Sequence, residues 1–600
     1  MQPMREGYSE YWAPEVTVWD GKFYMYYGAG DGVDMHIRVA TCDTPAGPFT
    51  DAGRRLTSET FAIDPHVFYD DDGRRWLFYA TDFLEHTHIG TGTVRDLMQS
   101  PFSLEGRPSP VTRAMYDWQL FDPQRMEKGG VRWHTVEGPA VRKYKGIYYE
   151  MFSGGNWQNS SYGVGYAFTG QIANNEEWTQ VCDGDKVLPL LRTIPDGRIG
   201  PGHNCIVRGP DNRQLYCVYH QWNEQRDSRL MGVSRLEFIG PELCVLTGDD
   251  LHEPLPVFPD SVDGGHAPFA MLTPVTGDWS VNNGSIQQSM HSGRATGIVD
   301  PDIASGVLAE VWIRATNPNG GGVFGLTLSD SESALLDVRL HARDGRLEVL
   351  NSVHRAPAIE TSTGSCALNA YRHFQLTVSA KSVHIQIDEG PELHTLLRRP
   401  PSSIALMTDG TSADFAGLTL SRGWEDRFEE SDVSVADLGW IGDESIWSIE
   451  RNALHGTAEA VGALFKRVPD SGYEFVVNAR VEGSSRTSRY GFYPAAAEAS
   501  EGPLLEVRNI GGEWFLVLAV PGGEEHPITA LGPFRPFEFE QFRFRIRDSR
   551  MTVARRGQTL LQMKLDSTST RVGVRASGAV AFDMIRVSSI SSGKDIPCGT

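Results

Sequence analysis

The feature that most constrains the fold is a β-hairpin unit that recurs four times within the first 257 residues. Each copy has a polar or acidic opening, an apolar run, a short turn with Gly or Asp, and a second, aromatic run. The copies are YWAPEVTVWDGKFYMYYGAG (11–30), IDPHVFYDDDGRRWLFYA (63–80), VEGPAVRKYKGIYYEMFSGG (136–155) and GPGHNCIVRGPDNRQLYCVYHQW (200–222). Two further short runs fit into each interval, and a repeated unit of about four strands is typical of a β-propeller blade. The sequence therefore predicts four recognisable propeller blades.

The second half of the chain carries a different repeat. A linker rich in Pro and Gly, PVFPDSVDGGHAPFAM, leads into evenly spaced amphipathic strands. These strands repeat at an offset of about 168 residues, which is the length of one β-sandwich domain. The offset aligns Trp279 with Trp447, Phe374 with Phe542 and Phe415 with Phe582. We therefore expect an all-β chain with a propeller at 1–257, β-sandwiches at 258–425 and 426–590, and a tail at 591–600.

Charge and hydropathy narrow the range of partners. The net charge is -22 and basic residues do not cluster, so nucleic acid is a poor partner. No apolar run reaches the roughly 18 residues of a membrane span, so no membrane partner is expected. A neutral sugar is compatible with this charge. The opening, MQPMREGYSEYWAPEV, has no apolar signal core. We expect a secreted or periplasmic protein if a missing N-terminus carried a signal, and a cytoplasmic one otherwise.

Two carboxylates are the main candidates for chemistry. Asp64 and Glu137 each begin the first strand of a unit, and the innermost strands of a propeller all start at one end of its channel. Two carboxylates that face each other across a sugar-sized gap are what glycoside hydrolysis needs. Strand-end capping or salt bridges are the structural alternative for both residues. Glu15 and His203 open the other two units and would point into the same channel, where both are candidates for substrate binding.

The four motifs together resemble a known family. WAPEV, IDPHVFYDDDG, VEGPAV and GPGHN, in this order and spacing, are similar to blades two to five of glycoside hydrolase family 43. Members are five-bladed propellers that hydrolyse arabinose- and xylose-containing glycans with inversion. The resemblance implies that Glu137 is the general acid and that Asp64 raises the pKa of this acid and orients it. It also implies that His203 lies in the channel, where it helps to hold a structural calcium ion in some members; no other cofactor is required.

One part of the family pattern is missing. The catalytic base of the family is an Asp in an ADP-like motif of the first blade, and no such motif precedes WAPEV here. Three explanations remain open. The chain is a fragment of a longer enzyme that lacks its first blade, or a propeller that only binds glycans, or an enzyme in which Glu6, Glu10 or Glu15 replaces the base.

Other residues are candidates for substrate binding. Trp157 and Trp118 are candidates for stacking on a sugar face, and Trp12 adjoins the channel. Arg198 precedes GPGHN and is expected to donate to sugar hydroxyls or to pair with a channel acid. The two sandwiches resemble laminin-G or concanavalin-like domains, which implies a carbohydrate-binding or a packing role.

These observations lead to two functional hypotheses. The first is an inverting glycosidase that acts on arabinofuranosyl or xylosyl linkages of plant-type polysaccharides or oligosaccharides. The alternative is a non-catalytic carbohydrate-binding protein built on a degenerate propeller.

Overall fold

A computed structural model describes most of the chain. The described residues are 8–181, 190–195, 197–209, 212–246, 272–282, 285–317, 321–352, 359–362, 370–388, 390–457, 461–469, 472–482, 487–496, 502–519, 525–532, 537–565 and 569–590. They form an all-β structure with only short 3-10 helices, which confirms the predicted fold class. Among them, no helix is long and apolar enough to cross a membrane. The predicted linker at 256–271 and the predicted tail at 591–600 both lie outside these residues.

The first part of the described chain forms four β-sheets, one for each predicted blade. The first, third and fourth sheets have four strands in chain order, and the second has seven. The strands are β1 (Glu10–Trp19), β2 (Lys22–Gly30), β3 (Met35–Cys42), β4 (Thr50–Arg55); β5 (Ala62–Tyr69), β6 (Arg75–Phe83), β7 (Gly90–Ser100), β8 (Ser103–Leu104), β9 (Ser109–Thr112), β10 (Leu120–Arg125), β11 (Val131–His134); β12 (Val136–Tyr144), β13 (Ile147–Gly154), β14 (Gly163–Thr169), β15 (Thr179–Gln180); β16 (Ile199–Arg208), β17 (Leu215–Trp222), β18 (Arg229–Ile239) and β19 (Glu242–Leu246). Short 3-10 helices span Asp117–Gln119 and Met126–Lys128.

The first strand of every blade carries a bulge near its start. The register of β1, β5, β12 and β16 against its hairpin partner shifts near the start of the strand. The residue at the bulge has a positive φ in each case: Ala13 (45°), Asp64 (57°), Gly138 (60°) and His203 (47°). Such a conformation costs a non-glycine residue of the order of 1–3 kcal/mol. A bulge turns a side chain out of its regular direction, so the four blades present equivalent positions at their inner ends.

The inner strands lie next to one another in chain order. β5 packs against β1 and β12, and β12 packs against β16. Aromatic side chains fill the space between neighbouring sheets, as where Phe78 of β6 meets Trp178 edge-on with ring centroids 5.8 Å apart. The aromatic second run of each hairpin therefore forms the core that holds the inner strands in place.

The remaining described strands form the sandwich region. They are β20 (Thr273–Thr276), β21 (Trp279–Asn282), β22 (Ser285–Gln288), β23 (Arg294–Asp300), β24 (Val307–Ala315), β25 (Val323–Ser329), β26 (Ala334–His341), β27 (Arg346–Asn351), β28 (Ile359–Ser362), β29 (Arg372–Ser379), β30 (Ser382–Ile387), β31 (Leu393–Leu396), β32 (Ser403–Asp409), β33 (Ala413–Asp426); β34 (Ile441–Gly442), β35 (Trp447–Glu450), β36 (Ala453–Gly456), β37 (Val461–Arg467), β38 (Tyr473–Val481), β39 (Arg489–Ala496), β40 (Leu504–Ile510), β41 (Glu513–Ala519), β42 (Glu525–Gly532), β43 (Glu540–Arg547), β44 (Arg550–Arg555), β45 (Gln558–Lys564), β46 (Arg571–Ser577) and β47 (Val580–Ser589), with a 3-10 helix at Glu444–Ile446.

The strand order confirms the internal repeat. One seven-stranded sheet has the order β20-β23-β32-β25-β26-β27-β28, and a second has the equivalent order β34-β37-β46-β39-β40-β41-β42. In both halves a Trp-bearing hairpin pairs with the last long strand, so that Trp279 lies 5.7 Å from Phe415 and Trp447 lies 6.0 Å from Phe582, measured between ring centroids. Each half also has its own hydrophobic core.

The two sandwiches share one sheet. Its order, β31-β30-β29-β24-β33-β47-β38-β43-β44-β45, is symmetric about the pairing of β33 with β47. The end of β33, Gly423–Asp426, pairs with β47. The sequence places the boundary between the sandwiches at residue 425, which lies within this strand; the domain boundaries remain predictions. By contacts the chain forms two units, Met1–Arg208 with Leu215–Leu236 and Asp388–Pro391, and Gly209–Gln214 with Glu237–Ile387 and Glu392–Thr600.

Candidate active site

Asp64 occupies the bulge of β5 and is buried. Its side chain accepts a hydrogen bond from the Gly138 amide, the bulge residue of the next inner strand, at 3.0 Å. Burial raises the pKa of Asp64, whereas the nearby His203 and the Gly138 amide act to lower it. This hydrogen bond links the Asp64 carboxylate to β12, the strand that carries Glu137.

Glu137 lies one residue before the bulge of β12, so it is not at the position equivalent to Asp64. The Tyr162 hydroxyl donates to its Oε1 at 2.7 Å. Burial and then the negative charge of Asp64 raise the pKa of Glu137 to about 8, although the Tyr162 hydrogen bond opposes this rise. A carboxyl group with this pKa keeps its proton at neutral pH, which is the state that a general acid needs.

His203 completes the group on the fourth inner strand. Its amide donates to Ser153 Oγ at 2.7 Å, and Ser153 is paired with Glu137 in the β12–β13 hairpin. A Cβ atom on Gly138 would be in ordinary contact with the His203 ring at 3.4 Å, so the φ of 60° rather than space favours glycine there. The structure therefore brings Asp64, Glu137 and His203 together. Of the two acids, it is Asp64 whose charged form His203 favours.

Tyr162 is a site residue that the sequence analysis missed. It precedes β14, is buried, and stacks on His220 with ring centroids 5.6 Å apart. Burial and then Arg229 and His203 lower the pKa of His220 to about 4, so this ring is neutral at pH 7. Tyr162 lies outside the four opening motifs, and nothing in its local sequence signals a bond to Glu137.

Glu15 makes contacts that explain its position without substrate. Its Oε1 accepts from the Val67 amide at 2.9 Å, and its Oε2 lies 2.8 Å from His66 Nδ1. The Val141 amide donates to His66 Nε2 at 3.0 Å, so Nδ1 carries the ring proton and donates to Glu15. These bonds link β1, β5 and β12.

Two other acids were predicted as replacement bases. Glu10 Oε2 accepts from Trp12 Nε1 at 3.0 Å. Glu6 lies outside the described residues. Both Glu10 and Glu15 therefore already have hydrogen-bond partners. The base remains unassigned among the residues that the structure describes.

The predicted substrate-binding residues occupy different settings. Trp12 is half-buried against Met35, Phe61, Ile63 and Ala80. Trp118 stacks on Phe152 at 6.2 Å and packs on Gly154.

Trp157 and Arg198 lie closer to the solvent. Trp157 is 36% exposed, and the Arg229 guanidinium lies 5.3 Å from its ring centroid. Arg198 Nη1 donates to the Tyr219 hydroxyl at 3.2 Å. These placements favour packing for Trp12 and Trp118 and leave Trp157 the more accessible candidate; the binding roles of all four remain predictions.

Calcium at His203 also remains a prediction. Calcium prefers six to eight oxygen ligands. Among the described residues, the groups of three or more His, Cys, Asp or Glu side chains that could hold a metal ion lie elsewhere, and His203 belongs to neither. The described side chains around His203 therefore do not supply the oxygen-rich set that calcium needs, and we assign no step to this ion.

Comparisons with known proteins find relatives of the propeller part of the chain. Residues 2–241 match the model of the glycosyl hydrolases family 43. The beta-D-galactofuranosidase xynD of Aspergillus niger is 29% identical over 228 residues, which cover 36% of this chain and 56% of that protein. An extracellular exo-alpha-(1->5)-L-arabinofuranosidase of Streptomyces avermitilis is 25% identical, with 35% and 43% covered. This chain spans about half the length of these relatives.

A solved structure is also similar. The crystal structure of a thermostable family-43 glycoside hydrolase is 30% identical to this chain, with a TM-score of 0.34, and the match covers 40% of this chain and 75% of that one. The laminin-G or concanavalin-like relationship of the sandwiches remains a prediction. Residues 2–241, the propeller part of this chain, therefore match glycoside hydrolase family 43.

Proposed function

We propose that this chain is an inverting glycoside hydrolase that acts on arabinofuranosyl or xylosyl linkages of plant-type oligosaccharides or polysaccharides. The observation that carries the proposal is the pair of buried Asp64 and half-buried Glu137, in which loss of solvation and the partner charge raise the pKa of Glu137 to about 8. One protonated and one ionised carboxyl group is the arrangement that separates acid and auxiliary roles in a glycosidase.

Each of the three residues has a separate role in the proposed reaction. Glu137 protonates the leaving oxygen of the glycosidic bond. Asp64 keeps that proton on Glu137 through its negative charge and, through the Gly138 amide, fixes the strand that carries the acid. Tyr162 orients the Glu137 carboxyl group through its hydroxyl. Inversion also requires a base that activates water on the opposite face of the sugar, and we assign that role to no described carboxylate.

The relatives narrow the substrates to test. They are named as a galactofuranosidase, arabinofuranosidases, arabinanases and xylosidases. A panel of nitrophenyl arabinofuranoside, xyloside and galactofuranoside, with arabinan and xylan, covers these classes.

The test compares Glu137→Gln with wild type on this panel. We expect kcat/KM to fall by roughly 10²–10⁴-fold, since a positioned general acid contributes about that much. Glu105→Gln, an exposed glutamate far from the inner strands in sequence, is the matched control and should retain full activity. Proton NMR of the first-formed sugar should show the inverted anomer. Full activity of Glu137→Gln would contradict its role as general acid, and a retained anomer would contradict inversion.

A second candidate function is glycan binding without turnover. The hydrogen bonds of Glu10 and Glu15 favour it, because they engage two of the acids proposed to replace the base. It predicts saturable binding of arabino- or xylo-oligosaccharides by titration calorimetry, no product from any substrate, and equal affinity in wild type and Glu137→Gln.

A further inference from the structure

His134, the last residue of β11, holds an unused nitrogen in a buried position. The residue is 1% exposed, and its Nε2 has no hydrogen-bond partner among the described residues. Leaving a buried polar atom without a partner costs about 1–3 kcal/mol. Such an atom therefore needs an explanation, and one accepted explanation is that it binds an ion.

The tautomer of His134 is fixed by its surroundings. Its Nδ1 lies 3.2 Å from the carbonyl oxygen of Ile89, and the His134 amide donates to the same oxygen at 2.8 Å. A carbonyl oxygen only accepts, so Nδ1 carries the proton and Nε2 keeps its lone pair. A histidine that binds a metal usually donates its other ring N–H to a backbone carbonyl or a carboxylate in this way.

Two further ligand residues lie beside His134. A ring nitrogen of His88, a ring nitrogen of His134 and a carboxylate oxygen of Asp117 all lie within 4.8 Å of one another. The two rings meet edge to face, with centroids 4.6 Å apart. Asp117 is exposed, and its present partner is Arg132 at 3.0 Å. To bind one ion, the side chains of His88 and Asp117 would have to move toward His134, and Asp117 would have to leave Arg132.

The backbone already holds the three segments together. His134 pairs with Gly90, where a Cβ atom would lie 1.9 Å from the His134 carbonyl oxygen, so only glycine allows this approach. The Thr135 amide donates to the Gln119 carbonyl at 2.8 Å, which fixes the short helix that carries Asp117. The backbone segments that carry the three ligands are thus held next to one another before any metal binds.

We propose that His88, Asp117 and His134 form a zinc site. Two imidazole nitrogens and one carboxylate oxygen suit zinc, whereas calcium and magnesium prefer oxygen ligands alone. Three protein ligands leave one tetrahedral position for water.

The site would brace the segment that leads to the acid. His134 lies three positions before Glu137 in the sequence. Trp118, next to Asp117, packs on Gly154, which pairs with Val136. Zinc would hold these segments in one geometry. This inference does not depend on glycosidase activity.

A second group of possible ligands makes a useful comparison. His384, His394 and Glu430 also lie within 4.8 Å of one another. Their nitrogens are already engaged, because His384 Nδ1 pairs with Glu392 at 2.6 Å and His394 Nε2 lies 3.0 Å from Ser382 Oγ. Neither His384 nor His394 has a buried ring nitrogen without a partner, as His134 does. The group could still bind zinc weakly, so the experiment below removes His384.

The experiment uses full-length, tag-free chain carrying His384→Ala, stripped of metal. Zinc is titrated by calorimetry, and cobalt is titrated by its visible absorption, which reports tetrahedral coordination. We expect one ion per chain and a higher melting temperature with zinc. Adding His88→Ala or Asp117→Ala should weaken zinc binding at least tenfold and remove the rise in melting temperature, with unchanged circular dichroism.

His86→Ala, an exposed histidine in the same loop, is the matched control and should bind as its parent does. Equal zinc binding in the His88→Ala, Asp117→Ala and parent proteins would overturn the site. Binding of calcium in preference to zinc would overturn the choice of ion. No binding of either ion to the parent would overturn the proposal as a whole.

Discussion

At the scale of single residues, the electrostatics of Glu137 depend on two neighbours that act in opposite directions. The charge of Asp64 raises the pKa of Glu137, and the hydrogen bond from Tyr162 lowers it. A general acid works in its protonated form, so the rate holds below this pKa and falls as the pH rises through about 8.

Asp64→Asn and Tyr162→Phe should therefore move the alkaline limb of the pH profile in opposite directions. Loss of the Asp64 charge lowers the pKa of Glu137, so the limb moves to lower pH. Loss of the Tyr162 hydroxyl raises this pKa, so the limb moves to higher pH. The measurement is kcat/KM against pH for wild type and both variants.

The position of the limb is the decisive reading, since either variant can also lower the maximal rate. The Tyr144→Phe change, at a half-buried tyrosine near the end of β12, serves as a control for loss of a hydroxyl and should leave the limb in place. Shifts of both variants in the same direction would contradict the proposed roles.

Glu15 offers a test of structure against catalysis. Glu15→Ala removes the acceptor of the Val67 amide and of His66 Nδ1, which should lower the free energy of unfolding by about 1–3 kcal/mol. Urea unfolding followed by tryptophan fluorescence measures this loss. Activity measured well below the transition should stay within a few-fold of wild type. A loss of activity beyond about 10²-fold at unchanged stability would instead make Glu15 the base.

At the scale of the elements, the inner hairpins depend on close packing at their bulges. Gly202 lies beside the His203 bulge, and a Cβ atom there would lie 1.9 Å from the Tyr162 ring. The glycine of the GPGHN motif thus sets the position of the tyrosine that bonds Glu137. A motif on one blade controls an acid on the neighbouring blade.

Gly202→Ala should displace Tyr162 and weaken its bond to Glu137. We expect kcat to fall at least tenfold, and the alkaline limb to move to higher pH as in Tyr162→Phe. Gly170→Ala is the matched control, because a Cβ atom there meets nothing within 4 Å. Unchanged kcat and an unchanged pH profile in Gly202→Ala would show that Tyr162 does not act on Glu137.

At the scale of the whole molecule, the two sandwiches are joined through a strand that serves both. β33 contributes Phe415 to the core of the first sandwich and Trp424 to the core of the second. Near its end, the buried Lys466 pairs with Asp426 at 2.8 Å and donates to Ser379 Oγ at 2.8 Å. We therefore expect the two sandwiches to unfold together.

Gly423→Ala tests this coupling. Gly423 has a φ of 125°, and a Cβ atom would lie 2.1 Å from the Val587 carbonyl oxygen, so alanine should open the pairing of β33 with β47. We expect a loss of about 1–3 kcal/mol from backbone strain alone. Scanning calorimetry should also show the sandwich transition broaden or split.

Gly293→Ala controls for the backbone strain. Gly293 also has a positive φ, 73°, but a Cβ atom there meets nothing within 4 Å. Its loss of stability should be smaller, and its transition should remain single. Equal effects of the two substitutions would mean that the shared strand pairing does not couple the sandwiches.

The repeating parts of this protein follow from local patterns in its sequence. Four hairpins with aromatic second strands predict four blades, and the 168-residue offset predicts two equivalent sandwiches, because strand patterning and turns are local properties. Asp64 and Glu137 could be singled out for the same reason, since each opens a repeated strand. The contacts that these residues make depend on how the sheets pack.

The bond from Tyr162 to Glu137, the link from Glu15 through His66 to Val141, and the free nitrogen of His134 all join segments distant in sequence. The strand shared by the two sandwiches is likewise set by pairing between distant segments. Such contacts follow from the packing of sheets against one another, and no local pattern encodes which side chains that packing brings together.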